Sequence, residues 1–257
     1  MRVVSVINLK GGVGKTTTSE NLAYGLWKYY GKRVLLIDND KQGNLSKVFG
    51  AYDPDEENTT ATLMLDSHVT KSVIRGTKYK NIDIIPANMN LLEANLKVMM
   101  DIGRKQQTRF QNAFDSLKLE KNYDFVIIDN APDINISIIN AFVASDDIII
   151  PLQMDEYSFD GMDILMEQIQ NCVDDFNSRL RIAGCLCTYY QNNEVNKQSL
   201  ELLRNMGVPV FNTVIRQTNG KPKEAIYARV PLMEYSIRCG AAQDYKRFVK
   251  EYVAQIG

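Results

Sequence analysis

The chain has 257 residues, 45% of them hydrophobic and 24% charged, and a formal net charge of −1. A chain of this size and composition buries a large core without metals or disulfides. The near-zero net charge excludes a protein that is basic throughout, so a nucleic-acid surface has to be a local patch or be built by oligomerisation.

The N-terminal stretch "MRVVSVIN" enters a strand at once. It has no long apolar core and no cleavage site, so a signal peptide is not expected. No apolar run reaches the roughly eighteen residues of a membrane span, and a cytoplasmic protein is expected. The four cysteines form no CxxC pair. Cys185 and Cys187 alternate on an expected strand and share one face, and all four read as core thiols.

Short apolar runs alternate with longer amphipathic stretches along the chain. Strands are expected over 3–8, 33–38, 82–87, 125–129, 147–152, 182–188 and 208–215, and several are apolar on both faces, as covered parallel strands must be. Helices are expected over 15–30, 90–100, 105–118, 158–175, 194–206 and 240–255. The acidic stretch "GAYDPDEENTTA" over 50–61 reads as a surface loop. Alternation of this kind predicts an α/β fold: a mainly parallel twisted sheet flanked by helices, with right-handed crossovers, in one domain spanning 1–257.

The first strand runs into "LKGGVGKTTTSEN" (Leu9–Asn21). Glycines there let successive backbone N–H groups converge on phosphate oxygens, and the helix that follows adds its positive N-terminal end. Lys15 is placed to neutralise the β- and γ-phosphates, and the Thr16 hydroxyl to ligate Mg²⁺. The phosphate-binding residues expected of the loop are therefore Gly11, Gly12, Val13, Gly14, Lys15, Thr16 and Thr17. Leu9 stands where an ordinary loop of this type has its first glycine, and Lys10 is one lysine more than such a loop needs. Two carboxylate stations follow at strand ends, where an open α/β sheet collects its ligands. "LLIDNDKQGN" carries Asp38 and Asp40, and "YDFVIIDNAP" carries Asp129.

"KGGVGKTT" is a deviant Walker A motif, and with these stations the chain resembles the ParA/MinD/nitrogenase-iron-protein class of P-loop ATPases. The resemblance implies ATP and Mg²⁺ as ligands and a homodimer formed with ATP. It implies that Lys10 reaches across the dimer to the partner's ATP. Asp40 matches the residue that positions the attacking water, Asp38 one near the Mg²⁺ shell, and Asp129 the Walker B aspartate that orients metal-bound water and bonds Thr16. The "NAP" turn, with Pro132 in register, matches the γ-phosphate-sensing switch. "IIIPLQMDEYSFDGM" keeps Pro151, Gln153, Glu156 and Gly161 in register, and the C-terminal third aligns so that Arg216 and Gln217 pass near adenine. Lys41 and Arg216 replace prolines common in the class, and "TYYQNN" lacks a cation often found after that strand.

No cysteine follows either carboxylate station, which sets aside an iron–sulfur protein. The tail "AAQDYKRFVKEYVAQIG" aligns with the last structural helix of the fold, so stable membrane association is not expected. The "DxDxQGNLS" wording is similar to ParA/Soj proteins, and a helix-turn-helix domain before the loop is not expected. That resemblance implies non-specific DNA binding in the ATP state, nucleoid association, and hydrolysis stimulated by a ParB-like partner. Lys197, Arg204, Arg216, Lys221, Lys223 and Arg229 are the candidate DNA contacts. The alternative is a MinD-like or cargo-positioning ATPase acting on membrane or protein clusters.

Overall fold

The computed structural model describes residues 1–154 and 161–257. Strand β1 (Arg2–Val6) leads through the glycine loop into α1 (Lys15–Tyr30), then β2 (Val34–Asn39), α2 (Asn44–Val48) and α3 (Thr60–Leu65). A short β3 (Arg75–Gly76) and β4 (Ile82–Ile85) precede α4 (Asn90–Met100), α5 (Arg109–Leu117) and α6 (Leu119–Asn122). Then come β5 (Phe125–Asn130), α7 (Ile136–Ala144), β6 (Asp147–Gln153), α8 (Met162–Asp175) and β7 (Arg181–Thr188). The chain closes with α9 (Glu194–Asn205), α10 (Lys221–Ala228), α11 (Leu232–Tyr235) and α12 (Gly240–Ile256).

The seven strands lie in the order β3-β4-β2-β5-β1-β6-β7. Every pairing is parallel except that of the two-residue β3. The chain moves outward from β1 to β2 and β4, returns to fill the gap with β5, and then builds β6 and β7 on the other side. That reversal puts the carboxyl ends of β1, β2 and β5 side by side, the place where such sheets bind ligands.

Strand alternation sends side chains to two covered faces. Leu36, Ile127 and Ile149 pack with Leu22, Leu45, Phe248 and Tyr252, so α1, α2 and α12 cover one face. Leu35, Ile37 and Ile128 pack with Leu63, Leu91 and Phe110 on the other, under α3, α4 and α5. Farther along that second face, Ile148, Ile150, Cys185 and Cys187 meet Phe142, Leu165 and Leu203 of α7, α8 and α9. Cys185 and Cys187 do share a face, and all four cysteines are buried and free. Burial pushes the Cys185 and Cys187 thiols up to about 12, as inert core thiols require. The apolar side of α12 (Ala242, Tyr245, Phe248, Val249, Tyr252) is spent on this core. Among the described residues no helix is long and apolar enough to cross a membrane.

The strand expected over 208–215 is not a regular strand. It runs beside β7 with isolated bridges at Val210 and Arg216. Between them the Asn212 and Thr213 N–H groups turn away to the Glu251 carboxylate, at 2.6 and 2.8 Å, and the ladder breaks there. The helix expected from 105 begins at Arg109, and the one expected from 158 is described from Met162. The loop expected over 50–61 gives way to α3 at Thr60, whose capping box (Thr59, Thr62) starts the helix. Helix α7 went unread because its Ile-rich sequence, interrupted only by the buried Ser137 and Asn140, has no exposed polar face to mark a helical period. Its sequence signal is Asn135, whose side chain accepts from the Ser137 and Ile138 N–H groups.

Candidate nucleotide-binding site

The loop between β1 and α1 is held from below by uncharged side chains. Asn8 donates to the Pro151 carbonyl at 2.8 Å and accepts from the Lys10 N–H at 2.9 Å. Thr188, at the end of β7, donates to the Val13 carbonyl at 2.9 Å. Gly12 and Gly14 sit at φ 76° and 87°, the left-handed region that lets the loop curl its N–H groups inward. Val13 and Lys15 are buried, whereas Gly11 and Gly12 are exposed. Lys15 Nζ closes the loop on the Lys10 carbonyl at 2.8 Å. Burial lowers the Lys15 pKa, and the charges of Asp129 and Asp40 work against that fall.

Asp38 and Asp129 stand opposite each other in the β2–β5 ladder. Their side chains are 0% and 2% exposed. Asp129 accepts from Thr16 Oγ1 at 2.7 Å and from Ser19 Oγ at 2.8 Å. Asp38 accepts from the Ser46 N–H at 2.8 Å, the Ser46 hydroxyl at 2.6 Å and the Asp40 N–H at 3.2 Å. Burial, and for Asp38 the facing Asp129 charge, pushes Asp38 up to about 8 and Asp129 up to about 6. Asp40 sits one step out on the loop, half-buried, and accepts from the Gln42 N–H at 2.9 Å. Gly43 completes that turn at φ 64°, where a Cβ would meet the Tyr52 ring at 2.4 Å.

These residues fit Mg²⁺. The donors are hard oxygens, and Mg²⁺ takes few protein ligands and keeps several waters. Thr16 spends its hydrogen on Asp129, which leaves its lone pairs for a cation. Burial raises both carboxyls, and a cation bound beside them would restore their charged form. Thr16 and Asp129 form one unit. Asp38 lies beside them, and both of its oxygens already accept from backbone or Ser46.

On the far side of Thr17 a cavity of about 540 Å³ opens, lined by Thr188, Tyr189, Gln217, Leu232 and Tyr245 among others. It is the right size and position for a base and ribose attached to phosphates in the loop. Gln217 and Arg216, the residues expected near adenine, both line it. Arg216 also pairs with the buried Asp244, at 2.7 Å to Nε. Of the other candidate DNA contacts, Lys197 and Arg204 lie on α9 and Lys221 and Lys223 on α10, with Arg229 at its C-terminal cap. Lys197 and Lys221 pair with Glu194 and Glu224. Glu156 lies outside the described residues. Sequence reading missed Asn8, Ser19, Ser46, Thr188 and Tyr245, which hold the loop and both carboxylates or line the cavity. Only Asn8, a hydrogen-bonding residue between a strand and a glycine turn, carried a local signal.

A family model described as an AAA domain matches residues 1–182. The chain is 34% identical over 255 residues to the sporulation initiation inhibitor protein Soj of Bacillus subtilis, covering 98% of each. It is 31% identical over 258 residues to the chromosome partitioning protein ParA of Caulobacter vibrioides, covering 99% of this chain and 95% of that one. Its fold is similar to that of cobyrinic acid a,c-diamide synthase from Mycobacterium smegmatis, solved with a bound ATP analogue and magnesium. That match has a TM-score of 0.84 at 27% identity and covers 100% of this chain and 96% of that one.

Proposed function

The chain belongs to the Soj/ParA family of P-loop ATPases and hydrolyses ATP with Mg²⁺, and from that premise we propose that it is an ATP-gated dimeric switch for DNA partition. One observation carries the switch reading: Gly11 and Gly12 are exposed, and a Cβ added at either meets nothing within 4 Å in the protomer. A bare, open loop edge beside a second lysine suits the close approach of another protomer.

Within each protomer, the loop N–H groups and Lys15 hold the phosphates, and the cavity beyond Thr17 holds the base. Thr16, with Asp129 behind it, holds the metal. Bound Mg²⁺ supplies positive charge to the phosphate oxygens as they gain charge during phosphoryl transfer. Asp40 orients the attacking water from the loop opposite. Lys10 adds a cation in trans, as an arginine finger does, and makes ATP binding and dimerisation one event. The ATP dimer then doubles the exposed cations of α9 and α10. Arg204, Lys223 and Arg229 are exposed there, and doubling them favours salt-sensitive contact with DNA phosphates. A DNA-bound, ParB-like partner accelerates hydrolysis and resets the switch.

The test is binding to non-specific duplex DNA with ATP, ADP or no nucleotide, at low and moderate salt, for wild type and Lys10→Ala. Binding only with ATP, weakened by salt and lost with Lys10→Ala, is expected. An ATP dimer that leaves DNA free removes the DNA role, and unchanged dimerisation of Lys10→Ala removes the in-trans lysine.

A further inference from the structure

Two asparagines end neighbouring strands directly behind the hydrolytic site. Asn39 closes β2 and Asn130 closes β5, opposite each other in the ladder. Each is one residue past a functional aspartate, so strand alternation turns both away from the nucleotide and toward α7. They are 1% and 2% exposed. Asn39 Nδ2 donates to Asn130 Oδ1 at 2.9 Å and to the Ser137 carbonyl at 3.3 Å. Asn130 Nδ2 donates to the Val6 carbonyl at 3.2 Å, which ties the pair to β1 just before the phosphate loop. A main-chain link runs alongside, from the Ala131 N–H to the Asn39 carbonyl at 3.3 Å.

The geometry points to a coupling role: we propose that Asn39 and Asn130 are positioning residues for ATP hydrolysis. Their amides clip the loop that carries Asp40 to the switch loop at 131–135, so that the two sides of the γ-phosphate pocket move together. Asn39 reaches both ends of that switch loop, Asn130 before it and Ser137 after it. It is also the residue immediately before Asp40. A displacement of the switch is thus passed to Asp40 through the Asn39 side chain as well as the main-chain link beside it. The inference rests on the family's ATPase activity and on Asp40 as the water-orienting residue.

The pair is also poorly suited to a purely structural role. Asn39 Oδ1 is buried and accepts no hydrogen bond from the described residues. Turning the amide over does not help, because the oxygen would then face Asn130 Oδ1 and the Ser137 carbonyl, both acceptors. Two apolar side chains at these positions would carry no such cost. A sheet that needed only stability here has no use for the amides, and buried polar groups that are only partly satisfied concentrate where function demands them.

The test compares ATP turnover, affinity for a fluorescent ATP analogue and thermal midpoint in Asn39→Leu, Asn130→Leu and the double variant, with Asp40→Ala alongside. Each single leucine is expected to lower kcat about tenfold, the scale of a small misplacement of reacting groups. Nucleotide affinity should stay within about twofold. The double variant should be no slower than either single, because parts of one device are not additive, and its midpoint should not fall below that of wild type. Alanine replaces leucine at either position if the larger side chain prevents folding. The proposal is overturned if the double variant turns over at the wild-type rate, if the two losses multiply, or if turnover falls only in step with affinity or midpoint. Asp40→Ala separates the premises. Full turnover in that variant removes the role of Asp40 and the clip with it. An inactive Asp40→Ala beside an undiminished asparagine double variant removes the clip alone.

Discussion

The two edges of the sheet both shield aspartates from solvent and treat them in opposite ways. At the amino-terminal edge, Asp147 opens β6 and is 0% exposed. It accepts from Arg2 at 2.5 and 3.0 Å, from Arg181 at 2.7 Å and from the Tyr252 hydroxyl at 2.7 Å. Burial alone would raise its pKa, but the Arg2 and Tyr252 hydrogen bonds and the two guanidinium charges outweigh burial and hold the carboxyl below its usual range. At the carboxyl-terminal edge, Asp38 and Asp129 receive only neutral donors and face each other, and both are pushed up. Asp147 is less deeply desolvated than Asp38 and Asp129 and has two guanidiniums beside it, and both differences act in the same direction on its pKa. One edge is electrically complete. The other is short of positive charge, which is what a site for a metal-bound nucleotide requires.

The largest effect expected from breaking this contrast is at Asp147. Asp147→Asn removes the charge that two arginines surround and should cost about 3 kcal/mol of stability near neutral pH, with nucleotide affinity unchanged. The folded-state pKa lies below the unfolded value, so the contribution is present above about pH 4 and is lost as pH falls through the folded value. Denaturant unfolding of wild type and variant should therefore converge in acid. A constant gap at all pH values would mean that shape, not charge, is what Asp147 supplies.

Asp38 should show the reverse, on a smaller scale. Its folded pKa of about 8 lies above the unfolded value. The folded state therefore holds the extra proton, and stability is lost as pH rises from about 4 toward 8. Asp38→Asn removes that loss. It should stabilise the ligand-free protein by about 1 kcal/mol at mildly alkaline pH, with the gain vanishing in acid, while ATP turnover drops. Thermal melts across that pH range, with turnover assays in parallel, measure both. A variant less stable than wild type throughout would show that the Ser46 and Asp40 contacts outweigh the repulsion.

The same contrast explains what the sequence made legible. The phosphate loop and the Asp38 and Asp129 stations lie in short local patterns, a strand followed by glycines or a strand ending in an acid, and the structure places them at one edge. The α/β class followed from alternation of apolar periods. What stayed hidden depended on long-range partners. Ser46 meets Asp38 across a loop, Thr188 reaches Val13 from another strand, and Tyr245 lines the base cavity from the last helix. The edge strand failed for the same reason, because Glu251, 38 residues beyond Thr213, takes its N–H group. The Asp147 cluster was invisible too. Arg2, Asp147, Arg181 and Tyr252 have no spacing that marks them as partners.

The smallest effect tests how the complete edge is built. Arg181 is 45% exposed and Arg2 29%, and both pair with Asp147. Solvent screens a half-exposed cation, so Arg181→Met should cost less than about 1 kcal/mol. Arg2→Met should cost more, because Arg2 binds both carboxylate oxygens. The double variant should cost more than the sum, since either arginine alone keeps the buried charge paired and the loss of both leaves it nearly bare. A double-mutant cycle by denaturant unfolding reads that coupling directly. Simple additivity would mean that the two arginines do not substitute for one another. At the nucleotide edge it is the Lys15 charge that acts against the raised Asp129 pKa, and no arginine pairs with Asp129 among the described residues. The stable edge tolerates losing a cation, whereas the working edge is arranged so that an incoming cation matters.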